Sequence, residues 1–226
     1  MKTKNFLINF FYDLISNIYK KGCLVLKNKH TSTLFVTTNI IYSIKIYIMK
    51  ILAFGASNSR NSINKKLAIY VASLFESDEK LVIDLNDFEM PLFSVDKESE
   101  TGHPEPAKEF VRLIGQSDMI IISLAEHNGS YTAAFKNIFD WASRVNGKTF
   151  QSKNLFLLAT STGRRGGKSV LETATNRFPF HDGKIIGTFS LPEFNKNFDN
   201  DLGIIHQEYK ALFDQTIDEV KSKLML

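Results

Sequence analysis

Lys50–Ala68 reads KILAFGASNSRNSINKKLA, and its two ends follow different periods. Lys50–Phe54 is a short apolar run, as expected of a strand covered on both faces. From Ile63 onward, Ile63, Leu67, Tyr70, Val71 and Leu74 fall on one helical stripe, with Ser62 placed as the N-cap. A strand that passes into a helix through a short polar loop is half of a βαβ unit, and the chain repeats that alternation. Further strand-like runs lie at Lys80–Asp84, Met119–Ser123, Leu155–Ala159 and Ile185–Phe189. Helical stripes separate and follow them: Ala107, Phe110, Val111 and Ile114; Tyr131, Ala134, Phe135, Ile138, Ala142 and Val145; a short helix at Ser169–Phe178; and Ile205, Tyr209, Leu212, Phe213, Ile217 and Val220. Five strands, each followed by a helix, predict an α/β fold: a doubly wound five-stranded parallel sheet in three α/β/α layers, forming a single domain over 49–226. The longest irregular stretch, about Asp87 to Glu105, contains Pro91 and Pro104 and reads as a loop.

Charge divides the chain at the same place. The net charge of +4 comes from residues 1–48, which hold seven lysines and one acid, Asp13, whereas 49–226 holds 21 basic and 23 acidic residues. A mildly acidic domain lacks the electrostatic footing for nucleic acid. In 1–48, Ile, Asn, Lys, Tyr and Phe supply 28 residues and no apolar period persists. No run approaches the ~18 apolar residues of a membrane span, and Asn9, Asp13 and Asn17 break what would be a signal h-region. These are the amino acids of AT-rich codons, so the expectation is that translation starts at Met49 and 1–48 is upstream sequence; a genuine accessory arm is the competing reading. Cys23, the single cysteine, lies in that segment. The domain therefore has no disulfide, thiolate metal site or cysteine nucleophile.

Ligands of such sheets bind beyond the carboxyl ends of the strands, and three loops expected there have unusual chemistry. The first, Gly55–Asn64, sets Ser57, Ser59, Ser62 and Asn64 around Arg60 at a helix N-terminus, donors suited to a phosphate monoester. Serine and asparagine also serve as caps and turns, the plainer reading of the same residues. A dinucleotide fingerprint fails, because Ser57 and Arg60 stand where its later glycines belong. A Walker A loop is a near miss at Thr162–Ser169 (TGRRGGKS), with Thr162 for the leading glycine and no later Walker B aspartate. The second loop, Ala125–Trp141 (AEHNGSYTAAFKNIFDW), brings Glu126, His127, Asn128 and Gly129 to the sheet edge, with Ser130 as a cap candidate. In the third, Thr160–Gly167 (TSTGRRGG), three glycines permit close backbone approach.

These three loops resemble the signature loops of the NADPH-dependent FMN reductase family, a flavodoxin-like group that includes quinone, azo-dye and chromate reductases; the likeness covers about 49–226. It implies a flavodoxin-like fold and a homodimer or homotetramer holding FMN without a covalent bond. Carried over by position, Ser57, Ser59, Arg60, Ser62, Ile63 and Asn64 would hold the phosphate; Glu126, His127, Asn128, Gly129 and Ser130 the ring; and Ser161, Thr162 and Gly163 the third contact. Where the family commonly has proline and tyrosine, this chain has Ala125 and His127.

The resemblance further implies a cytoplasmic oxidoreductase in which NADPH or NADH delivers hydride to FMN and a small acceptor, such as a quinone or flavin, receives the electrons. Such chemistry needs rings positioned and charge stabilised, with no nucleophile or triad. His127 is a candidate proton donor, since an imidazole changes charge near neutral pH; packing or capping beside the loop is the alternative. Glu126 reads as a solvated loop acid, and Trp141 as core or subunit contact. His103, His181 and His206 have no metal-ligand spacing. Two other classes stay open: a flavodoxin-type electron carrier without its own reductase turnover, and a P-loop nucleotidase.

Overall fold

The computed structural model describes residues 49–77 and 79–224. The expectations for 1–48 and Cys23 lie outside the described residues. Strand β1 (Lys50–Ala56) is buried over its last six residues and leads to helix α1 (Ile63–Ser73). Ser62 caps that helix, its Oγ accepting from Lys65 N at 3.1 Å. Gly55 is required by close packing: a Cβ there would lie 2.4 Å from Lys65 N. Strand β2 (Glu79–Val82) is exposed throughout, as an edge strand can be, and two residues later Asp84 caps a 3₁₀ turn, Leu85–Phe88.

Helices α2 (Val95–Thr101) and α3 (Glu105–Gln116) precede strand β3 (Met119–Leu124). A small antiparallel pair follows, β4 (Glu126–His127) with β5 (Ser130–Tyr131), before helix α4 (Ala133–Val145) and strand β6 (Asn154–Thr160). Helix α5 (Lys168–Arg177) and strand β7 (Lys184–Leu191) complete the main sheet. Helix α6 (Phe194–Asn197), the pair β8 (Phe198–Asp199) and β9 (Gly203–Ile204), and helix α7 (Gln207–Leu224) close the chain.

The five-stranded sheet has the order β2-β1-β3-β6-β7, all parallel, with Phe54 opposite Ile122, Leu124 opposite Ala159 and Thr160 opposite Leu191. This is the expected flavodoxin-like doubly wound fold. Strand order reverses around β1 and β3, which opens a crevice at their carboxyl ends. Alternate residues feed two cores. Leu52, Phe54, Ile120, Ile122, Leu155 and Leu157 pack with Phe110, Phe135, Ile138 and Phe178, whereas Ile51, Ala53, Ile121, Phe156 and Leu158 pack with Leu67, Val71, Phe213 and Ile217. Each fully buried side chain of this size stabilises by roughly 1.5–3 kcal/mol. Among the described residues, no helix is long and apolar enough to cross a membrane.

Two expectations need correction. The stretch from Asp87 to Glu105 is not a plain loop, because Ser94 caps α2 and accepts from Lys97 N at 3.2 Å. No residue of α2 is buried, so no apolar period announced it. The segment is held instead by polar contacts from α4: Trp141 Nε1 donates to Pro91 O at 2.8 Å, Asn137 Oδ1 accepts from Phe93 N at 2.8 Å, and Arg144 pairs with Glu98 at 2.9 Å. The second correction concerns α4, which begins at Ala133 with Thr132 as its cap, and not at Tyr131 behind Ser130. Asn128 and Gly129 have φ of 53° and 78°, the two positive values that a tight hairpin turn requires, and they fold Ser130–Tyr131 back on Glu126–His127.

Candidate functional site

The loops after β1, β3 and β6 meet at the carboxyl ends of those strands and enclose a cleft of about 330 Å³. Of the expected residues, Ser57, Ser59, Ser62, Ile63, Asn64, Glu126, His127, Ser161 and Thr162 line it. Arg60, Asn128, Gly129, Ser130 and Gly163 belong to the same loops but stand outside its wall. Asn61, Ala125 and Thr160 also line it; Ala125 is noted above only as a departure from the family pattern, and none of the three is among the ligand residues expected from sequence. Asn61 lies in the same polar loop; Ala125 and Thr160 are ordinary residues where a strand ends, and only the sheet register brings them there. Asn58 turns the other way, into a neighbouring cavity of about 330 Å³ between the loop and the start of α4.

The first loop gathers polar donors at a helix start. The opening N–H groups of a helix have no intrahelical acceptor. Ser62 satisfies that of Lys65, which leaves those of Ile63 and Asn64 directed out of α1 beside Ser57 and Ser59. Ser57 Oγ accepts from Ser59 N at 3.2 Å and so tightens the turn. Arg60 is exposed at the rim.

Three side-chain joints fix these loops from below. Asn64, 2% exposed, accepts at Oδ1 from Ser123 Oγ (2.8 Å) and Thr160 N (3.1 Å), and donates from Nδ2 to Thr160 O (3.1 Å). Its side chain is thus committed inside the protein and not offered to a ligand. Thr132 Oγ1 donates to Ala56 O at 3.0 Å, tying the start of α4 to the end of β1. Glu126 is half-buried and more than a solvated acid: Oε2 accepts from Val170 N at 3.0 Å, placing a carboxylate on the first turn of α5.

That last contact also decides the Walker A near miss. A P-loop offers the N-terminus of its helix to phosphate, but here that position already holds the Glu126 carboxylate, and Arg165 is turned back onto Ser169 Oγ at 2.7 Å. Gly166 and Gly167, with φ of 61° and 76°, carry the loop into α5; a Cβ on Gly166 would come within 2.6 Å of Ser190 Oγ. His127 is exposed on β4, facing Ser130 in the pair. Tyr131, on the hairpin's second strand, stacks on Phe178; its hydroxyl is buried without a partner among the described residues, and burial pushes its pKa up to about 12. Among the described residues, no three His, Cys, Asp or Glu side chains gather as metal ligands.

Residues 49–196 match the family model for NADPH-dependent FMN reductase. An uncharacterized protein of Mycoplasma pneumoniae is 31% identical over 151 residues, covering 63% of this chain and 87% of that protein. A 2-hydroxy-1,4-benzoquinone reductase of a Burkholderia species is 36% identical over 120 residues; the match spans 52% of this chain and 63% of that reductase, less than two thirds of its length. Among solved structures, FerB from Paracoccus denitrificans, a flavoenzyme NAD(P)H:(acceptor) oxidoreductase, superposes with a TM-score of 0.60 at 20% identity, covering 77% of this chain and 98% of that one. At that identity the likeness speaks for the fold.

Proposed function

The chain belongs to the NADPH-dependent FMN reductase family, and from that premise we propose that it is an NAD(P)H-dependent oxidoreductase that holds FMN in the cleft above β1, β3 and β6. The observation that carries the reading is the placement of an anion-binding helix start directly across from two backbone-rich loops, in one cleft. Size agrees, since ligand clefts run from about 300 to 1,000 Å³. Chemistry agrees as well: the first loop offers hydroxyls, free N–H groups and a nearby arginine to a phosphate, while Glu126–His127 and Ser161–Thr162 offer main chain to a flat heteroaromatic ring. When bound, FMN supplies the hydride and electron chemistry that links a nicotinamide to a small acceptor such as a quinone or flavin.

The protein's own part is to bind and to orient. Ser57, Ser59, Ser62 and the N–H groups of Ile63 and Asn64 hold the phosphate, with Arg60 closing over it from the rim. Main-chain donors of the second and third loops stabilise negative charge on the ring. To His127, exposed on β4 and lining the cleft, we assign delivery of a proton to departing product. Glu126 acts by holding the ring hairpin against α5 and takes no proton from substrate.

The test is direct. The purified protein should show flavin bands, release FMN on denaturation, and oxidise NADPH or NADH in the presence of a quinone. Bound flavin without nicotinamide oxidation would leave the electron-carrier reading; saturating FMN that produces neither flavin bands nor fluorescence quenching would end the proposal. We also place the enzyme in the cytoplasm as a homodimer or homotetramer, with the assembly checked by sedimentation.

A further inference from the structure

Strand β6 outruns β3 by one residue, and the structure shows what fills the gap. The register of β3 with β6 ends at Leu124 opposite Ala159, so Thr160 has a strand partner only on its β7 side, where Leu191 lies opposite. On the other side, the carboxamide of Asn64 takes both main-chain groups of Thr160, accepting from its N–H and donating to its C=O at 3.1 Å each. One amide side chain stands in for the missing peptide of β3. Its orientation is fixed by Ser123 Oγ, which donates to Oδ1 at 2.8 Å and could not bond in the same way to the NH₂ group. Asn64, Ser123 and Thr160 are 2%, 0% and 1% exposed, so none of these bonds can be exchanged for water without opening the core.

Asn64 is also the second residue of α1, at the end of the phosphate loop, and Thr160 is the residue from which the third loop departs. We propose that Asn64 couples the two halves of the cleft, so that an anion on the first loop and a planar ring at the third loop bind cooperatively. This rests on the flavin-site reading above. An anion held by the Ser57–Asn64 loop bears on the start of α1, and the buried amide passes that on to Thr160 and Ser161, which line the same cleft. The coupling is reciprocal, as any linkage between two binding equilibria must be. Asn64 is accordingly a positioning residue.

The experiment uses the full chain stripped of flavin, with riboflavin and inorganic phosphate as the two halves of FMN, at constant ionic strength set with chloride. Saturating phosphate should tighten riboflavin binding by about fivefold or more, within the usual range for coupled sites. In Asn64→Ala that factor should fall below about twofold while each ligand alone still binds, and in Ser123→Ala, which keeps the Asn64–Thr160 pair but frees its orientation, it should be intermediate. A native factor of one overturns the proposal. So does a variant in which both ligands weaken together and the factor survives, the pattern of a merely structural residue. If Asn64→Ala does not fold, an undiminished factor in Ser123→Ala overturns it. If the native chain binds neither riboflavin nor FMN, the flavin reading fails and the coupling with it.

Discussion

Arg60 and Tyr131 show how much a single side chain's setting decides. Arg60 is exposed on a loop of hydroxyls and free N–H groups, and among the described residues its guanidinium has no ion pair to give up. Arg60→Ala should remove one charge-assisted bond, about 1.5–3 kcal/mol, and weaken FMN about 10- to 150-fold. Riboflavin, which lacks the phosphate, should bind the variant as it binds the native chain, and Arg60→Lys should recover only part of the loss because an ammonium lacks the planar fork. Titration of both flavins checks this; equal weakening of the two would show that Arg60 does not serve the phosphate. Tyr131 is the opposite case. Its hydroxyl is buried with no partner among the described residues, which costs desolvation and returns no bond. Tyr131→Phe should therefore keep the ring stacked on Phe178 and raise stability by up to about 1 kcal/mol, read as a higher urea midpoint at unchanged slope. A clear loss of stability would mean that the hydroxyl contributes to the fold.

Between elements, polar side chains do the joining. Glu126 lies on β4 yet caps α5, so the hairpin and the helix behind the third loop are joined. Glu126→Ala should cost about 1 kcal/mol, as lost helix caps do, lowering the melting temperature by roughly 2–4 °C. It should also weaken riboflavin as much as FMN, because the joint serves the ring side; a loss confined to FMN would contradict that. Asp84 joins α1 to the end of β2. Lys65 Nζ lies 2.6 Å from its carboxylate, and that hydrogen bond, helped by the one from Asn86 N, lowers the Asp84 pKa below the usual carboxylate value. A depressed carboxylate stabilises the fold above the unfolded-state value of about 3.9, and the contribution disappears as pH falls through the folded-state value. Asp84→Asn should then melt a few degrees lower than the native chain at pH 7, with the gap closing at the acid end. Melting curves across pH test it, and a gap that stays constant would assign the effect to the turn and not to the charge.

At the scale of the molecule, every residue placed in the cleft follows Met49, and the compact unit that contains it spans Ile48–Leu226. We propose that a chain beginning at Met49 folds and binds FMN as the full chain does; lost solubility or a changed FMN affinity would show that 1–48 contributes. Within that unit, the sequence by itself determined the strand and helix alternation, the sheet class and the three loops. Apolar runs and helical stripes record which face each element buries, and hydrophobic burial is local enough in sequence to leave a period. Asn128-Gly129 carries the hairpin signal too, although Ser130 beside it competes as a helix cap. What left no period was hidden. Helix α2 buries no side chain and is held by Pro91, Phe93 and Glu98 bonding to α4, contacts that cross more than forty residues. Asn64 and Glu126 read from sequence as a phosphate donor and a solvated acid, yet one completes a strand and the other caps a helix. Only the tertiary structure could decide those two roles. A polar side chain bonds whichever group the fold brings within about 3 Å, and Thr160 lies 96 residues from Asn64, and Val170 lies 44 from Glu126.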